Sequence, residues 1–180
     1  MEILLASLES PEGEPPENLM EDLRQALEDV FVARVAAPVK GPRVPQAAFD
    51  AARRQYSAPL VLQKLLERAP GPGRKLLAVT CADLFIPMLS FVYGQAQLGG
   101  QVAVVSLARL KQEYYGLPEN NALIAGRARK EAVHETGHLF GLVHCEQLDC
   151  AMRLSTNIRQ LDLKGDALCA GCAALARENS

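Results

Sequence analysis

The sequence predicts an α/β domain with a small, irregular C-terminal lobe. Short apolar runs typical of buried strands alternate with longer segments in which apolar residues recur at helical spacing. This periodicity is lost after Gly141, and four of the five cysteines then fall between Cys145 and Cys172. Metal ligands in that region could take the place of a hydrophobic core. The expected order of elements, β-α-β-α-β-β-β-α and then an irregular tail, is that of a layered α/β protein.

The composition limits what the protein can be. The chain has 180 residues, of which 49% are hydrophobic and 22% are charged, so one domain with a packed core is expected. A net charge of −2 gives no reason to expect binding to nucleic acid or to an anionic membrane. The N-terminus lacks the basic region that begins a secretory signal, and no apolar run reaches the roughly 20 residues that span a bilayer. We expect a cytoplasmic monomer, in which paired cysteines bind metal more often than they form disulfides.

Elements in the first half of the chain follow from apolar spacing and from proline positions. Residues 3–8 are expected to form a buried strand, and residues 16–30 an amphipathic helix. Residues 31–39 alternate weakly and could form a second strand. Residues 46–69 are predicted to be helical with a break at Pro59.

The second half contains the clearest strand signals. Residues 75–84 form a continuous apolar run, in which Cys81 is expected to be a small buried side chain. Residues 91–110 predict two strands joined in a hairpin at Gly99 and Gly100.

Two helices are expected after this hairpin. One runs from about residue 122 to residue 140, and Asn120 or Asn121 is a suitable N-cap. The other is a short helix at residues 170–178, AGCAALARE.

The stretch HETGHLFGLVHC contains all three histidines of the chain in the spacing H-E-x-x-H-x-x-G-x-x-H. Residues four apart lie on the same face of a helix, so His134 and His138 would point two imidazoles at one place. Gly141 can adopt a left-handed conformation that ends the helix. His144 can then return to the same metal ion as a third ligand.

Three imidazoles leave a fourth position on zinc for water. Glu135, next to the first ligand, could take a proton from that water as general base and later deliver it to the leaving amine. The motif therefore predicts zinc-dependent hydrolysis of peptide bonds without a covalent enzyme intermediate. The alternatives are a helix with surface histidines, a zinc-stabilised module that binds extended peptides without cutting them, and a metal-handling protein.

The cysteines suggest a second metal site. Cys145-x4-Cys150 and Cys169-x2-Cys172 form two short-spaced pairs, which suit a closed, structural zinc site with four thiolate ligands. His144 and Cys145 are consecutive, so one peptide unit would be held by two metal ions, one catalytic and one structural. Two disulfides or free thiols are the alternative.

The run HETGHLFGLVHC, followed by x4-C-x-M-x16-C-x2-C, resembles the signature of the archaemetzincins, a branch of the metzincin metallopeptidases. The stretch from LLAVTCADLF through GGQVAVVSLARL to KEAVHE is similar in character. The resemblance assigns a role to each residue of the motif. It implies catalytic zinc on His134, His138 and His144, a general base at Glu135, a methionine turn at Met152 beneath that zinc, and structural zinc on Cys145, Cys150, Cys169 and Cys172.

The resemblance also implies a metzincin-like zincin fold with a twisted, mixed five-stranded sheet. The single domain, residues 1–180, would have an upper lobe (1–141) with the sheet and active-site helix, and a lower lobe (142–180) with the third histidine, the methionine turn and the four-cysteine site. Substrate would lie extended in the cleft between the lobes.

If FVYGQA is the edge strand, its free backbone groups could pair with an extended peptide; the alternative is an edge protected by its own glycines and polar residues. No tyrosine follows Met152, so stabilisation of the oxyanion is expected from zinc, backbone N–H groups or an upstream residue.

Overall fold

The computed structural model describes residues 1–68 and 71–180 of the chain. Within these residues the helices and strands have the following bounds: β1 (Glu2–Leu8), α1 (Glu17–Val30), β2 (Arg34–Val35), β3 (Val39–Lys40), β4 (Phe49–Asp50), β5 (Gln55–Ser57), α2 (Ala58–Leu66), β6 (Arg74–Thr80), β7 (Leu84–Phe85), β8 (Gly94–Ala96), β9 (Val102–Ser106), α3 (Asn121–Leu139), α4 (Ile158–Leu163) and α5 (Ala170–Glu178). Two short 3-10 helices lie at Gln46–Ala48 and Gln112–Tyr115.

The central sheet has the strand order β2-β1-β6-β9-β8, and β3 also pairs with β1. β1, β6 and β9 are parallel, whereas β8 is antiparallel to β9, so the sheet is mixed with five positions, as predicted. The segment 31–39, which the sequence suggests as one strand, contributes to two. β2 and β3 pair with opposite ends of β1 on the same side and so occupy one strand position in the sheet. Pro38 lies between them and has no N–H to donate to the ladder.

The prediction of a helix through residues 46–69 is wrong for its first half. That half forms the 3-10 helix and a hairpin of β4 and β5, and β7 completes a separate three-stranded sheet. The rings of Phe49 and Tyr56 pair across this hairpin with centroids 5.0 Å apart. Pro59 is the second residue of α2 and does not break a helix, because its fixed φ suits the first turn. Ala69, the last residue of the predicted helix, lies outside the described residues.

Helices cover both faces of the central sheet. Side chains alternate along its strands: Val79 and Val105 join the core that includes α1 and α3, whereas Ala78 and Val104 join a smaller core with α2. Cys81 is buried directly after β6, as predicted. The sheet therefore holds α3 in a fixed position against β8 and β9.

α3 and the hairpin at Gly99 and Gly100 lie where the sequence predicted them. The Asn120 side chain caps α3 by accepting a hydrogen bond from the Leu123 N–H at 3.0 Å. At the other end Gly141 adopts φ +79°, the left-handed conformation that ends the helix. The hairpin is tied to this end, since the Gly99 N–H donates to the His138 carbonyl at 2.8 Å.

Of the helices in the described residues, none is both long and apolar enough to cross a membrane.

We expect Asn120→Ala to lower the free energy of unfolding by about 1 kcal/mol, because it removes the side-chain acceptor from the first turn of α3. Urea unfolding followed by circular dichroism measures this change. Asn121→Ala is the matched control, since the described structure gives the exposed Asn121 side chain no hydrogen bond. Equal losses in the two variants would contradict the cap assignment.

Candidate active site

The three histidines of the chain converge at the C-terminal end of α3. His134 and His138 lie one turn apart on the helix, and His144 returns from the segment that follows Gly141. The ring centroids are 4.7, 5.2 and 5.1 Å apart. One ring nitrogen of each residue lies within 4.8 Å of the other two. The predicted three-histidine group is therefore present as a geometric cluster.

Backbone carbonyls orient two of these rings. The His134 Nδ1–H donates to the Ala151 carbonyl at 2.8 Å, and the His138 Nδ1–H donates to the Leu142 carbonyl at 2.7 Å. Protons on both Nδ1 atoms leave the Nε2 lone pairs free for a metal ion. Burial lowers the pKa of His134, His138 and His144, which favours the neutral form that metals bind.

The separation of the two free nitrogens fits zinc. The Nε2 atoms of His134 and His138 are 3.2 Å apart. Two tetrahedral ligands at zinc–nitrogen bond lengths would be about 3.3 Å apart. Two lone pairs that face each other at this distance repel unless a cation lies between them.

Met152 lies beneath the histidines, fully buried against the backbone of α3. A Cβ on Gly137 would be 2.3 Å from the Met152 Sδ atom, so only glycine allows this contact. The methionine is in a tight turn, in which the Arg153 N–H donates to the Cys150 carbonyl at 2.9 Å. The Met152 carbonyl accepts from the Cys145 N–H at 3.0 Å. This turn therefore connects the Ala151 carbonyl, which accepts a hydrogen bond from the His134 ring, to the segment that carries His144.

Glu135 is buried between α3 and the edge strand. Its carboxyl group packs directly on Gly94 of β8, where an added Cβ would lie 2.6 Å from Cγ and 2.7 Å from Oε1. Burial raises the pKa of Glu135 well above its usual range. The edge strand therefore sets the position of this carboxyl group, and glycine at position 94 makes room for it.

A cleft of about 330 Å³ opens over the histidines. The residues on one wall belong to β8 and the loop before it, those on the other to the segment after the methionine turn, and those on the floor to α3 together with His144 and Lys164. The first wall consists of Leu89, Ser90, Phe91, Val92, Tyr93, Gly94, Gln95 and Ala96. The second wall consists of Leu154, Ser155 and Thr156, and the floor consists of Glu131, His134, Glu135, His138, His144 and Lys164.

Sequence reasoning did not single out Glu131, Ser155 or Lys164, and it noted Tyr93 only as part of the possible edge strand FVYGQA. Glu131 precedes His134 by three positions and so shares its face of the helix, which is a signal that the spacing offered. Lys164 is far from the motif in sequence, and no local pattern marks it. It reaches the site because its Nζ pairs with Glu131 Oε1 at 2.9 Å.

The four cysteines of the C-terminal segment form a second cluster. Their Sγ atoms lie within 4.8 Å of one another, and all four are free thiols. The Cys145 and Cys169 sulfurs are 3.9 Å apart, close to the roughly 3.8 Å expected for two thiolates on tetrahedral zinc. A hydrogen bond from the Cys172 backbone N–H lowers the pKa of the Cys169 thiol to about 7, which favours the thiolate.

Comparisons with known proteins give a consistent result. The profile of Peptidase family M54 matches residues 17–178. An archaemetzincin of Methanocaldococcus jannaschii is 37% identical over 162 residues, which cover 90% of this chain and 87% of that protein. The crystal structure of archaemetzincin from Methanopyrus kandleri has a TM-score of 0.85 and 31% identity, covering 99% of this chain and 94% of that one. A zinc-dependent peptidase from Methanocorpusculum labreanum has a TM-score of 0.83 and 29% identity, covering 98% and 100%.

Sequence and fold thus agree along nearly the whole chain. The two clusters offer the imidazole and thiolate donors that zinc prefers, in numbers that are consistent with one catalytic and one structural ion. Zinc is the cofactor and peptides are the class of substrate. The chain belongs to Peptidase family M54, the family of the archaemetzincins, and is a zinc-dependent metallopeptidase.

Proposed function

We propose that Glu135 is the general base of peptide-bond hydrolysis and that His134, His138 and His144 hold the catalytic zinc. The observation that carries this proposal is the convergence of three imidazoles beside one buried carboxyl group. When bound, zinc supplies Lewis acidity, which polarises a substrate carbonyl and makes water a stronger acid.

Glu135 accepts the proton of the attacking water and returns it to the amine that leaves. Gly94 keeps this carboxyl group against the edge strand, so the proton acceptor lies beside the position proposed for the substrate backbone. The carbonyls of Ala151 and Leu142 hold the rings of His134 and His138 in the orientation that a metal requires. Fixed orientation lowers the reorganisation needed during the reaction.

We propose that the substrate binds as an extended strand along the outer edge of β8. β8 ends the central sheet, so one of its edges has no strand partner among the described residues. Main-chain pairing would orient the peptide without regard to its sequence. On this view residues 1–141 supply the upper wall of the cleft and residues 142–180 the lower wall.

The four cysteines are proposed to hold a structural zinc. Few apolar side chains are buried in residues 142–180, so metal–thiolate bonds would supply much of the stability of this segment. Because His144 and Cys145 are consecutive, that ion would also fix the third histidine. Location in the cytoplasm and a monomeric state, expected from the composition, stay predictions.

We expect Glu135→Gln to lower kcat/KM by at least about 100-fold while zinc content is unchanged, because the amide cannot accept the proton. Cleavage of a mixed peptide library, followed by mass spectrometry, and elemental analysis measure the two quantities. Glu119→Gln, at an exposed site away from the cleft, is the control. Equal cleavage by wild type and variant would contradict the role of Glu135, and peptide binding without cleavage by either would favour a binding module.

Gly94→Ala should reduce kcat by roughly 100-fold, because the new methyl group must displace the Glu135 carboxyl. Zinc content should be unchanged, since the three atoms nearest to the new methyl group all belong to Glu135, which is not a proposed zinc ligand. The control is Gly126→Ala, in the middle of α3, where an added Cβ meets nothing within 4 Å. Full activity in Gly94→Ala would show that the position of Glu135 does not depend on the edge strand.

Cys169→Ala should destabilise the protein by roughly several kcal/mol and remove at least one zinc ion per chain, because metal binding contributes to folding. Thermal unfolding and elemental analysis test this expectation. Cys81→Ala is the matched control, since Cys81 is buried away from the cluster. Unchanged stability with unchanged zinc content would exclude the four-cysteine site.

A further inference from the structure

The floor of the cleft carries a buried ion pair that peptide-bond hydrolysis does not require. Glu131 is 4% exposed and Lys164 is 3% exposed, yet both line the cleft beside His134. The Lys164 Nζ donates to Glu131 Oε1 at 2.9 Å and to the Arg153 carbonyl at 3.3 Å. Two opposite charges at this distance make a floor that is polar but has no net charge.

Lys164 does not hydrogen-bond to the zinc-binding ring, although its Nζ lies 3.5 Å from His134 Nδ1. Nδ1 already donates its proton to the Ala151 carbonyl, so both atoms are donors. Lys164 is therefore held by Glu131 and by a backbone carbonyl. Among the described residues, Lys164 is the only hydrogen-bond donor to the Glu131 carboxylate.

Two hydroxyl groups above this floor have no hydrogen-bond partner of normal geometry among the described residues. They belong to Tyr93, which is 5% exposed and whose hydroxyl lies near the Tyr115 side chain, and to Ser155, on the opposite wall. Burial raises the pKa of Tyr93, so its hydroxyl keeps the proton and can donate. Buried polar groups without partners are costly and rare in folded proteins. A bound group that supplies the missing partners would remove this cost.

Both hydroxyl oxygens are closed to water in this structure. Ser155 belongs to a stretch without regular secondary structure between the methionine turn and α4. A modest outward shift of that stretch would open the space between Ser155 and Tyr93. We define the recess as the space bounded by Tyr93, Glu131, Ser155 and Lys164.

We propose that the recess selects a substrate residue with a neutral amide side chain, glutamine or asparagine. The inference rests on the proposed function, because it assigns the specificity of that same cleft. An amide group presents N–H donors to the Glu131 carboxylate and a carbonyl acceptor to the hydroxyls of Tyr93 and Ser155. The whole cleft measures about 330 Å³, at the low end for ligand pockets, and a side chain of this size would enter the recess from it once Ser155 has shifted outward.

Other classes of side chain fit the recess less well. A substrate carboxylate would compete with Glu131 for Lys164, and a substrate cation would compete with Lys164 for Glu131, in a place that bulk water does not reach. An apolar side chain would leave both hydroxyl groups unpaired. Only a neutral group with donors and acceptors satisfies the recess without breaking the ion pair.

The test uses sets of four peptides that are identical except at one position, which holds Gln, Glu, Lys or Leu. A separate set is made for each position along the peptide. Wild-type kcat/KM values and the dissociation constants of the zinc-loaded Glu135→Gln variant are measured on the same sets. At one position relative to the cleaved bond, we expect the Gln peptide to exceed the Leu, Glu and Lys peptides by roughly tenfold or more in both measurements.

Two variants test the residues themselves. The double variant Glu131→Leu/Lys164→Met removes the pair as a unit, which leaves no stranded charge, and should shift the preference from Gln to Leu. Tyr93→Phe should lower the Gln-to-Leu ratio with little change in melting temperature, because the hydroxyl makes no hydrogen bond of normal geometry among the described residues. Tyr114→Phe, which alters an exposed tyrosine outside the cleft, should leave the ratio unchanged.

A preference for Glu, Lys or Leu in the wild-type protein would overturn the inference, as would equal treatment of all four peptides. A Gln preference that survives in the double variant would overturn the assignment to Glu131 and Lys164. If binding selects Gln while no peptide is cut, the recess stands and the hydrolytic proposal fails. If peptides are cut without selection, the hydrolytic proposal stands and the recess fails. Absence of both cleavage and binding would overturn both.

Discussion

Two hydrogen bonds from imidazole N–H groups to main-chain carbonyls are the constraint on which the rest of the site depends. They join His134 to Ala151 and His138 to Leu142, so the segment after α3 has to fold back over the helix. Each bond contributes only about 1 kcal/mol to stability. Their larger effect is directional, because they fix which nitrogen carries the proton and where the other one points. Met152 closes the fold-back by packing on Gly137 of α3, which has no side chain.

The two parts of the molecule obtain their rigidity in different ways. Residues before Gly141 form a sheet with apolar layers on both faces, and burial of those layers holds α3 in place. The segment after Gly141 has only the short helices α4 and α5. It adds a few side chains, such as Met152 and Leu161, to the core of α1 and α3, and polar contacts such as the pair of Arg127 with Asp162 at 2.7 Å also join it to α3. A peptide held between these parts would meet a rigid strand on one side and a less constrained wall on the other.

Sequence patterns were informative where the structure depends on neighbours along the chain. The spacing of His134 and His138 and the cap at Asn120 are local properties, and each was predicted correctly as geometry; the catalytic role of Glu135 stays a prediction. Residues 46–57 were predicted wrongly, since their helix-favouring alanines and arginines are outweighed by tertiary contacts of the β4–β5 hairpin. The contact between Glu131 and Lys164 was missed because it joins residues 33 positions apart, and its partners carry no shared pattern.

The shortness of β8 has a consequence for the behaviour of the protein in solution. A strand at the end of a sheet exposes unpaired backbone groups, which in many proteins allow sheets of separate molecules to join and aggregate. β8 has three residues, begins at Gly94 and is soon followed by the turn at Gly99 and Gly100. An edge this short offers only a few hydrogen bonds to a strand of another molecule, which discourages the growth of an intermolecular sheet. The short edge that we propose as the binding site for a substrate peptide therefore also limits the association of this sheet with other molecules.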